Sequence, residues 1–425
     1  MSDFLWNGKV PRLSRSILQR PKPMGGLALP NFKFYYWAAN IRILQQWIRL
    51  ENSPSYPAWL ALEAASSEPA SLTALAHAPL TFSFSPYTKN VIVKSTLRVW
   101  TQFKRHFGLQ SLSLLAPIVA NPAFPPSIVD RAFLSWSTLG IKTFKDLYID
   151  DTFASFEQLS TKYTLPRSNF FRYLQIRSFV RNVSPQFPNL PETVPVDSLL
   201  RPLPNTKGMI SAMYILISSL RPTSLQHIKN MWEEDIGEEI TEDLWEGILH
   251  RVHSSSISAR HGLIQCKIVH RTHFTKVRLA KIYDNIDPTC DRCHQAPATY
   301  SHMFWTCPSL HTFWSEVFGT ISNSIDIPID PVAMTALFGV LPIDLTLPRY
   351  KTDLIAFTTL LARRLILLKW KSSSPPSHSL WLKDILYFIK MERVRCVIRG
   401  STSRFIKTWG PFLEYVENQY TFDVP

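Results

Sequence analysis

The chain has 425 residues, of which 45% are hydrophobic and 12% aromatic, enough for two or three domains with real cores and not the composition of a disordered tail. A formal charge of +14 points to polyanionic partners, nucleic acid first and an anionic membrane surface second. Thirteen glycines against 32 prolines suit helices broken by Pro-marked loops better than a sheet-rich chain, and five cysteines, three of them in one short stretch, supply no disulfide framework and imply a reducing compartment.

The N-terminus, Met1-Ser2-Asp3-Phe4-Leu5-Trp6, lacks the charged-then-apolar pattern of a secretion signal. Residues 4–50 then carry eight Lys or Arg and no Asp or Glu, interleaved with Trp6, Phe32, Phe34, Tyr35, Tyr36, Trp37 and Trp47. That mixture suits a surface meeting phosphates and bases, with Arg12, Arg15 and Lys33 as candidate contacts. The alternative is a core helix with its aromatic residues inside. Asn31, behind Pro30, is placed to cap this helix.

Residues 51–87 read as loop plus a short helix. A helical pattern from Asn90 to Phe107 turns Leu97, Trp100 and Phe103 inward and Lys94, Arg98, Lys104 and Arg105 outward. Ile128 to Tyr148 reads as an amphipathic helix and turn, and Phe170 to Val180 as a helix bearing Arg172, Arg177 and Arg181 at its polar positions.

Between these two lies Tyr148-Ile149-Asp150-Asp151, the Tyr-x-Asp-Asp box whose carboxylates hold metal ions in polymerase palms. The box needs a strand hairpin and a third carboxylate. Asp146 to Asp151 precede Phe153, Phe156 and Leu159 at helical spacing, so a helix N-cap is the simpler expectation.

Six prolines between Asn182 and Lys207 mark a linker. Eight carboxylates crowd residues 233–246, where Thr241 with Glu242 and Asp243 reads as an N-cap with first-turn acids on a solvated face. The charge then inverts: residues 251–283 hold seven Lys or Arg, four His and no acid. On one continuous helix Arg260, Lys267 and Arg271 would fall within about 40° of one another, with Lys276, Arg278 and Lys281 just beyond, a stripe suited to phosphates.

The stripe runs into Cys290-Asp291-Arg292-Cys293, followed by His302 and Cys307. Two cysteines separated by two residues can face one ion from a tight turn, and a His and a Cys complete a four-ligand tetrahedron with no open position. This reads as a structural zinc knuckle with Zn2+ on Cys290, Cys293, His302 and Cys307, His294 or His311 being the substitutes for His302. Beyond it, Phe313, Trp314, Val317 and Phe318 form one apolar helical face. Leu354 to Leu368 is the longest apolar run, but Arg363 and Arg364 interrupt it, so a buried helix is expected and not a membrane span. A second helix near 379–395 and a basic end (Arg393, Arg395, Arg399, Arg404, Lys407) close the chain.

Several of these stretches, in this order, resemble one family. Phe4-Leu5-Trp6-Asn7 to Pro11-Arg12, then Gly25-Gly26-Leu27 to Leu29-Pro30-Asn31-Phe32 and Tyr35-Tyr36, is similar to the segment just after the polymerase palm in non-LTR (LINE-type) retrotransposon reverse transcriptases. Gly140-Ile141-Lys142-Thr143-Phe144, Lys207-Gly208-Met209-Ile210-Ser211, the Cys/His stretch, and Trp314 followed by Pro328-Ile329-Asp330-Pro331 extend the resemblance over nearly the whole chain. In that family the palm box precedes the thumb, whereas here Tyr148-Ile149-Asp150-Asp151 follows the thumb-like stretch, which argues against a catalytic role.

The resemblance implies the C-terminal portion of such a polyprotein, without the palm or the endonuclease. It would grip template RNA and target DNA during target-primed reverse transcription, inside cells, as a nuclear and cytoplasmic ribonucleoprotein. RNA, DNA and the upstream palm and endonuclease domains are then the expected partners, with no membrane partner and no catalysis by this chain alone. The competing expectation is a protein-interaction scaffold, a relic kept by its host, in which zinc only staples the fold. The expected architecture is mainly α, a multi-lobed helical assembly with a small Cys/Cys/His/Cys zinc knuckle. Its parts are a thumb-like segment (1–50), a helical connector (51–181), a Pro-rich linker (182–207), a basic helical region with the knuckle (208–320) and a C-terminal helical region (321–425).

Overall fold

A computed structural model describes residues 6, 8–50, 57–109, 113–191, 194–201, 208–342 and 344–420. Of the sequence motifs, Phe4, Leu5, Asn7, Lys207 and the start of the 51–87 stretch (51–56) lie outside the described residues. The chain is mainly helical, as expected, with a single two-stranded hairpin among the described residues. It divides into two compact units: residues 30–222, and residues 1–29 together with 223–425.

The 30–222 unit is built on α1 (Phe32–Leu50). Asn31 Oδ1 accepts the Phe34 peptide N–H at 3.3 Å, which is the expected cap. Trp37, Ile41, Leu44 and Trp47 form the buried stripe that follows from the three- and four-residue spacing of a helix. The aromatic positions thus split: Trp37 and Trp47 are core, while Phe32 and Tyr36 are 67% and 54% exposed. Against α1 pack α2 (Val91–Phe107), capped by Asn90 and stopped by left-handed Gly108, and, later in the chain, the helix Met209–Ser219.

Lys104, expected outside, is buried. Its Nζ donates to the Ala78 carbonyl at 2.5 Å beside the Trp100 ring, and burial lowers its pKa to about 8. A long aliphatic stem lets a lysine cross an apolar surface to reach a carbonyl, and residue periodicity does not register that reach.

A satellite core in the same unit gathers Phe124, Phe133, Trp136, Phe144 and Leu159 around the hairpin β1 (Tyr148–Ile149) and β2 (Thr152–Phe153). Here the N-cap expectation is corrected. Asp150 and Asp151 are the two turn residues, both with positive φ (45° and 58°), a conformation that aspartate tolerates better than most residues. The next helix, Phe156–Tyr163, is capped instead by Ser155 with Gln158 in a reciprocal capping box.

Beyond α3 (Phe170–Val183), the described parts of the Pro-rich 182–207 stretch are folded in. Phe153 N–H donates to the Pro188 carbonyl and Leu190 N–H to that of Asp151, both at 2.8 Å. The helix Pro195–Leu200 buries Val196, Leu199 and Leu200 against α1. The Met209–Ser219 helix, α4, completes the unit.

In the second unit, residues 8–29 form an arm whose Leu13 and Leu18 enter the core. His270 Nε2 meets the Gly25 carbonyl at 2.7 Å and His253 Nε2 the Gly26 carbonyl at 2.8 Å, so one buried and one half-buried imidazole pin the arm down. Both glycines are required. Gly25 has φ +79°, and a Cβ on Gly26 would lie 2.1 Å from the Arg20 carbonyl oxygen.

The rest of the unit comprises α5 (Gln226–Ile236), α6 (Glu242–Ser254), α7 (Ala259–Val269), the Cys/His stretch, α8 (His311–Ile325), α9 (Arg349–Leu368), α10 (His378–Ile398) and α11 (Thr402–Gln419). Thr241 caps α6 through its side chain, as the sequence signals. The buried run in α9 is continuous from Leu354 to Arg363, and no helix among the described residues is long and apolar enough to cross a membrane. Arg363 is fully buried without an acid partner among the described residues. Its Nε donates to Gln265 Oε1 at 3.0 Å and its Nη1 to the Ala336 carbonyl at 2.5 Å, and burial lowers its pKa to about 9.

Candidate metal centre

Cys290, Cys293, His302 and Cys307 come together, with one ligand atom from each lying within 4.8 Å of all the others. Cys290 Sγ and Cys307 Sγ are 3.9 Å apart, and Cys293 Sγ and His302 Nε2 3.3 Å. His294 is exposed and His311 begins α8, so neither substitute joins the group.

Local backbone explains the convergence. The Cys290-x2-Cys293 turn is tied by His294 N–H to the Cys290 carbonyl at 3.0 Å and by Cys290 N–H to the Ala296 carbonyl at 2.9 Å. Inside it the Arg292 N–H points at Cys290 Sγ from 3.4 Å. His302–Thr306 is a turn of π-helix, whose wide i to i+5 closure returns the chain so that His302 and Cys307 face the same point. The five-residue spacing that a straight α-helix would splay apart is thereby closed.

The electrostatics suit a cation. Burial pushes the Cys307 thiol up to about 11, and Cys290 and Cys293 nearby push the same way. Burial also acts to raise Cys293, but the peptide N–H groups of Gln295 and Ala296 outweigh it and hold that thiol below its ordinary value. His302 is pushed down by burial and then by the Arg292 charge, toward the neutral form that ligates metals. Three thiolates so close together repel one another unless a cation compensates them. Arg292 is itself buried, with Nη2 donating to the Met303 carbonyl at 2.7 Å and Nη1 unpartnered. One monovalent guanidinium next to three sulfurs and an imidazole balances the single negative charge left when a divalent ion binds.

The nine predicted phosphate contacts fare differently. Alpha-helix 7 ends at Val269, and Arg271, with φ +51°, leaves the helical path, so the predicted stripe is broken. Arg271 turns inward instead. Its Nη2 meets Asp235 at 2.8 Å, its Nη1 the Met231 carbonyl at 3.2 Å, and its guanidinium lies over Trp232 and Tyr300 at 4.5 and 5.0 Å. Asp235 also accepts from Ser301 N–H and Oγ at 3.1 and 2.9 Å, so this ion pair anchors the residue beside His302 to α5. The acidic run thus holds a structural carboxylate that no local pattern distinguishes.

Lys276 pairs with Asp291 inside the cysteine turn at 2.8 Å. Arg12 and Arg278, far apart in the chain, stack on one ring: their guanidinium carbons lie 4.5 and 4.7 Å from the Phe274 centroid. Lys267 belongs to the same neighbourhood. His273 is pushed down to about 4 by burial and then by the charges of Lys267 and Arg12. Arg15, Arg260 and Lys281 are exposed and form no ion pair among the described residues. Lys33 belongs to the 30–222 unit, where its Nζ lies 4.7 Å over Trp37.

Asp150 and Asp151 occupy the hairpin turn described above, and no third metal-ligating side chain joins them among the described residues. No model of a known protein family matches this sequence.

Proposed function

We propose that the Cys/Cys/His/Cys cluster holds Zn2+ and that the chain is a nucleic-acid-binding portion of a LINE-type reverse transcriptase, gripping RNA and DNA largely through their backbones. Zinc is favoured by the donor set: three thiolates and one imidazole suit a borderline-soft ion and are poor ligands for the hard, oxygen-preferring Ca2+ and Mg2+. The sulfur pair at 3.9 Å is close to the ~3.8 Å edge of a tetrahedron with Zn–S bonds near 2.3 Å. Cys290, Cys293, His302 and Cys307 would fill all four positions, leaving a structural ion with no open coordination site.

The observation that carries the nucleic-acid reading is the gathering of Arg12, Lys267 and Arg278 about Phe274 and His273, next to the cluster. Residues far apart in the sequence make one cationic patch, and stacking on Phe274 keeps the guanidinium planes extended. Such a patch contacts phosphates without reading bases. On the resemblance stated above, DNA synthesis and strand cleavage would be the work of the palm and endonuclease domains of the polyprotein.

The test is binding of zinc-loaded chain to structured RNA, single-stranded DNA and duplex DNA across a salt series. Affinity should fall steeply with salt, and Arg12→Gln with Arg278→Gln should lower the slope by about 1.4 to 1.8. A folded, zinc-loaded sample that binds none of the three at low salt would overturn the reading. It would favour the scaffold alternative, which has its own observation: Tyr387, Met391, Val394 and Ile398 form an exposed apolar row along α10, each more than half exposed.

A further inference from the structure

The basic C-terminal end, left without a role above, has one in the fold. Where α6 ends, α9 and α11 begin and α10 finishes, an open cleft of about 410 Å³ is lined by Arg349, Arg395, Arg399, Arg404, His253 and Asp353. It adjoins a second space of about 380 Å³ walled by Lys407 and Tyr350, the lysine Nζ lying 4.8 Å over the ring. Ile257 is the one aliphatic side chain on the wall of the first cleft, which rules out an apolar ligand.

The charges do not cancel. Asp353 is shared by three arginines: Arg251 at 2.7 Å, Arg404 at 3.2 Å and Arg349 at 3.9 Å. Glu392 accepts from the Ile257 peptide N–H at 3.1 Å and lies 3.7 Å from Arg395. Arg399 has no ion pair among the described residues, so these two carboxylates face five arginines and Lys407.

Main-chain polarity adds to this. Alpha-helix 11 begins behind Ser401, whose side chain makes no cap bond, and α9 behind Pro348; neither has an acid in its first turn. The helix ends that would oppose an anion are already engaged. At the end of α10 the carbonyls of Arg395, Cys396 and Val397 accept from the N–H groups of Arg399, Ser401 and Gly400. At the end of α6 the His250 and Arg251 carbonyls accept from the Ser254 and Ser255 hydroxyls. Convergent guanidinium forks and two helix N-termini without a first-turn acid make an oxyanion cradle.

We propose that this cleft binds phosphoryl groups, and that their source is the backbone of a nucleic-acid strand held apart from the zinc cluster. The choice of source rests on the nucleic-acid reading above; the phosphoryl chemistry does not. Asp353 acts as a placeholder, fanning out three guanidinium groups that a phosphate would partly take over.

The test uses the full zinc-loaded chain and two probes, inorganic tripolyphosphate by calorimetry and a short single-stranded DNA by anisotropy across a salt series. Arg349 and Arg399 are exposed, so Arg349→Gln/Arg399→Gln should leave the circular dichroism spectrum unchanged. It should weaken tripolyphosphate about tenfold and lower the DNA salt slope by about 1.4. Arg349→Lys/Arg399→Lys should recover most of the slope, and Asp353→Asn should tighten tripolyphosphate, an opposite sign that mere damage would not give.

Equal tripolyphosphate affinity in wild type and the double Gln variant would overturn the cleft. If DNA still bound with an unchanged slope in that variant, the nucleic-acid reading would stand without it. Tripolyphosphate bound through these arginines with no DNA binding at any salt would keep the phosphoryl site, make its source a free polyphosphate, and remove the nucleic-acid reading.

Discussion

Two stretches of this chain spell metal-binding motifs, and the fold treats them in opposite ways. Cys290-x2-Cys293 with His302 and Cys307 closes into one four-donor cluster, buried and braced by Arg292 and by the Asp235–Arg271 ion pair. Tyr148-Ile149-Asp150-Asp151 does form the hairpin such a box requires, yet its aspartates sit at a turn with no third ligand among the described residues. The lesson is one of ligand count. A cysteine cluster carries all its donors within eighteen residues, whereas a carboxylate box borrows a donor from a distant strand.

The sharpest way to break this comparison is to strip the zinc proposed for the cluster. A closed zinc site contributes about 10 kcal/mol or more of local folding energy, so chelation or Cys293→Ser should unfold the region around residues 271–310. Hydrogen exchange should rise there while the hairpin amides at 148–153 keep their protection; unchanged exchange at 290–307 would sink the zinc assignment. Next in size is the brace. Asp235→Ala strands a largely buried Arg271, a loss of about 3 kcal/mol or more, and should also lower zinc affinity by releasing Ser301. Urea denaturation and a competitive chelator titration measure the two effects.

Acid should act on the cluster-bearing unit through its histidines. His261 and His273 are pushed down to about 4 by burial, whereas an unfolded imidazole titrates near 6.5. Between those values the unfolded chain takes up protons that the folded chain refuses. Stability is therefore full above pH ~6.5 and falls toward pH ~4, by at most about 1.4 kcal/mol per pH unit for each histidine. Urea midpoints of His273→Gln should show a shallower decline than wild type; identical pH profiles would remove His273 from the account. The smallest effect belongs to the decoy. Asp150→Gly relieves a positive φ and should change stability by no more than about 1 kcal/mol, with no change in metal content by mass spectrometry.

Much was legible in the residues. Asn31 and Thr241 announce helix starts because a side-chain acceptor before an apolar period has few other uses, and each caps the helix it precedes. The four clustered Cys/His side chains and the burial of most of the 354–368 stretch, Leu354 to Arg363 without a break, were equally local. The basic stripe was not. It assumed one continuous helix, and left-handed Arg271 breaks that path.

The sequence by itself determined the helical class, the Asn31 and Thr241 caps and the four side chains of the candidate metal site, since each depends on periodicities and spacings of a few residues. Only the tertiary structure decided which charges serve which purpose. Arg271 finds Asp235, Lys104 the Ala78 carbonyl and Arg363 the Ala336 carbonyl, while Arg12 meets Arg278 over Phe274 and four arginines from three helices share one cleft. A charge's role is set by burial and by the partner within a few ångströms, and that partner lies tens to hundreds of residues away in the chain.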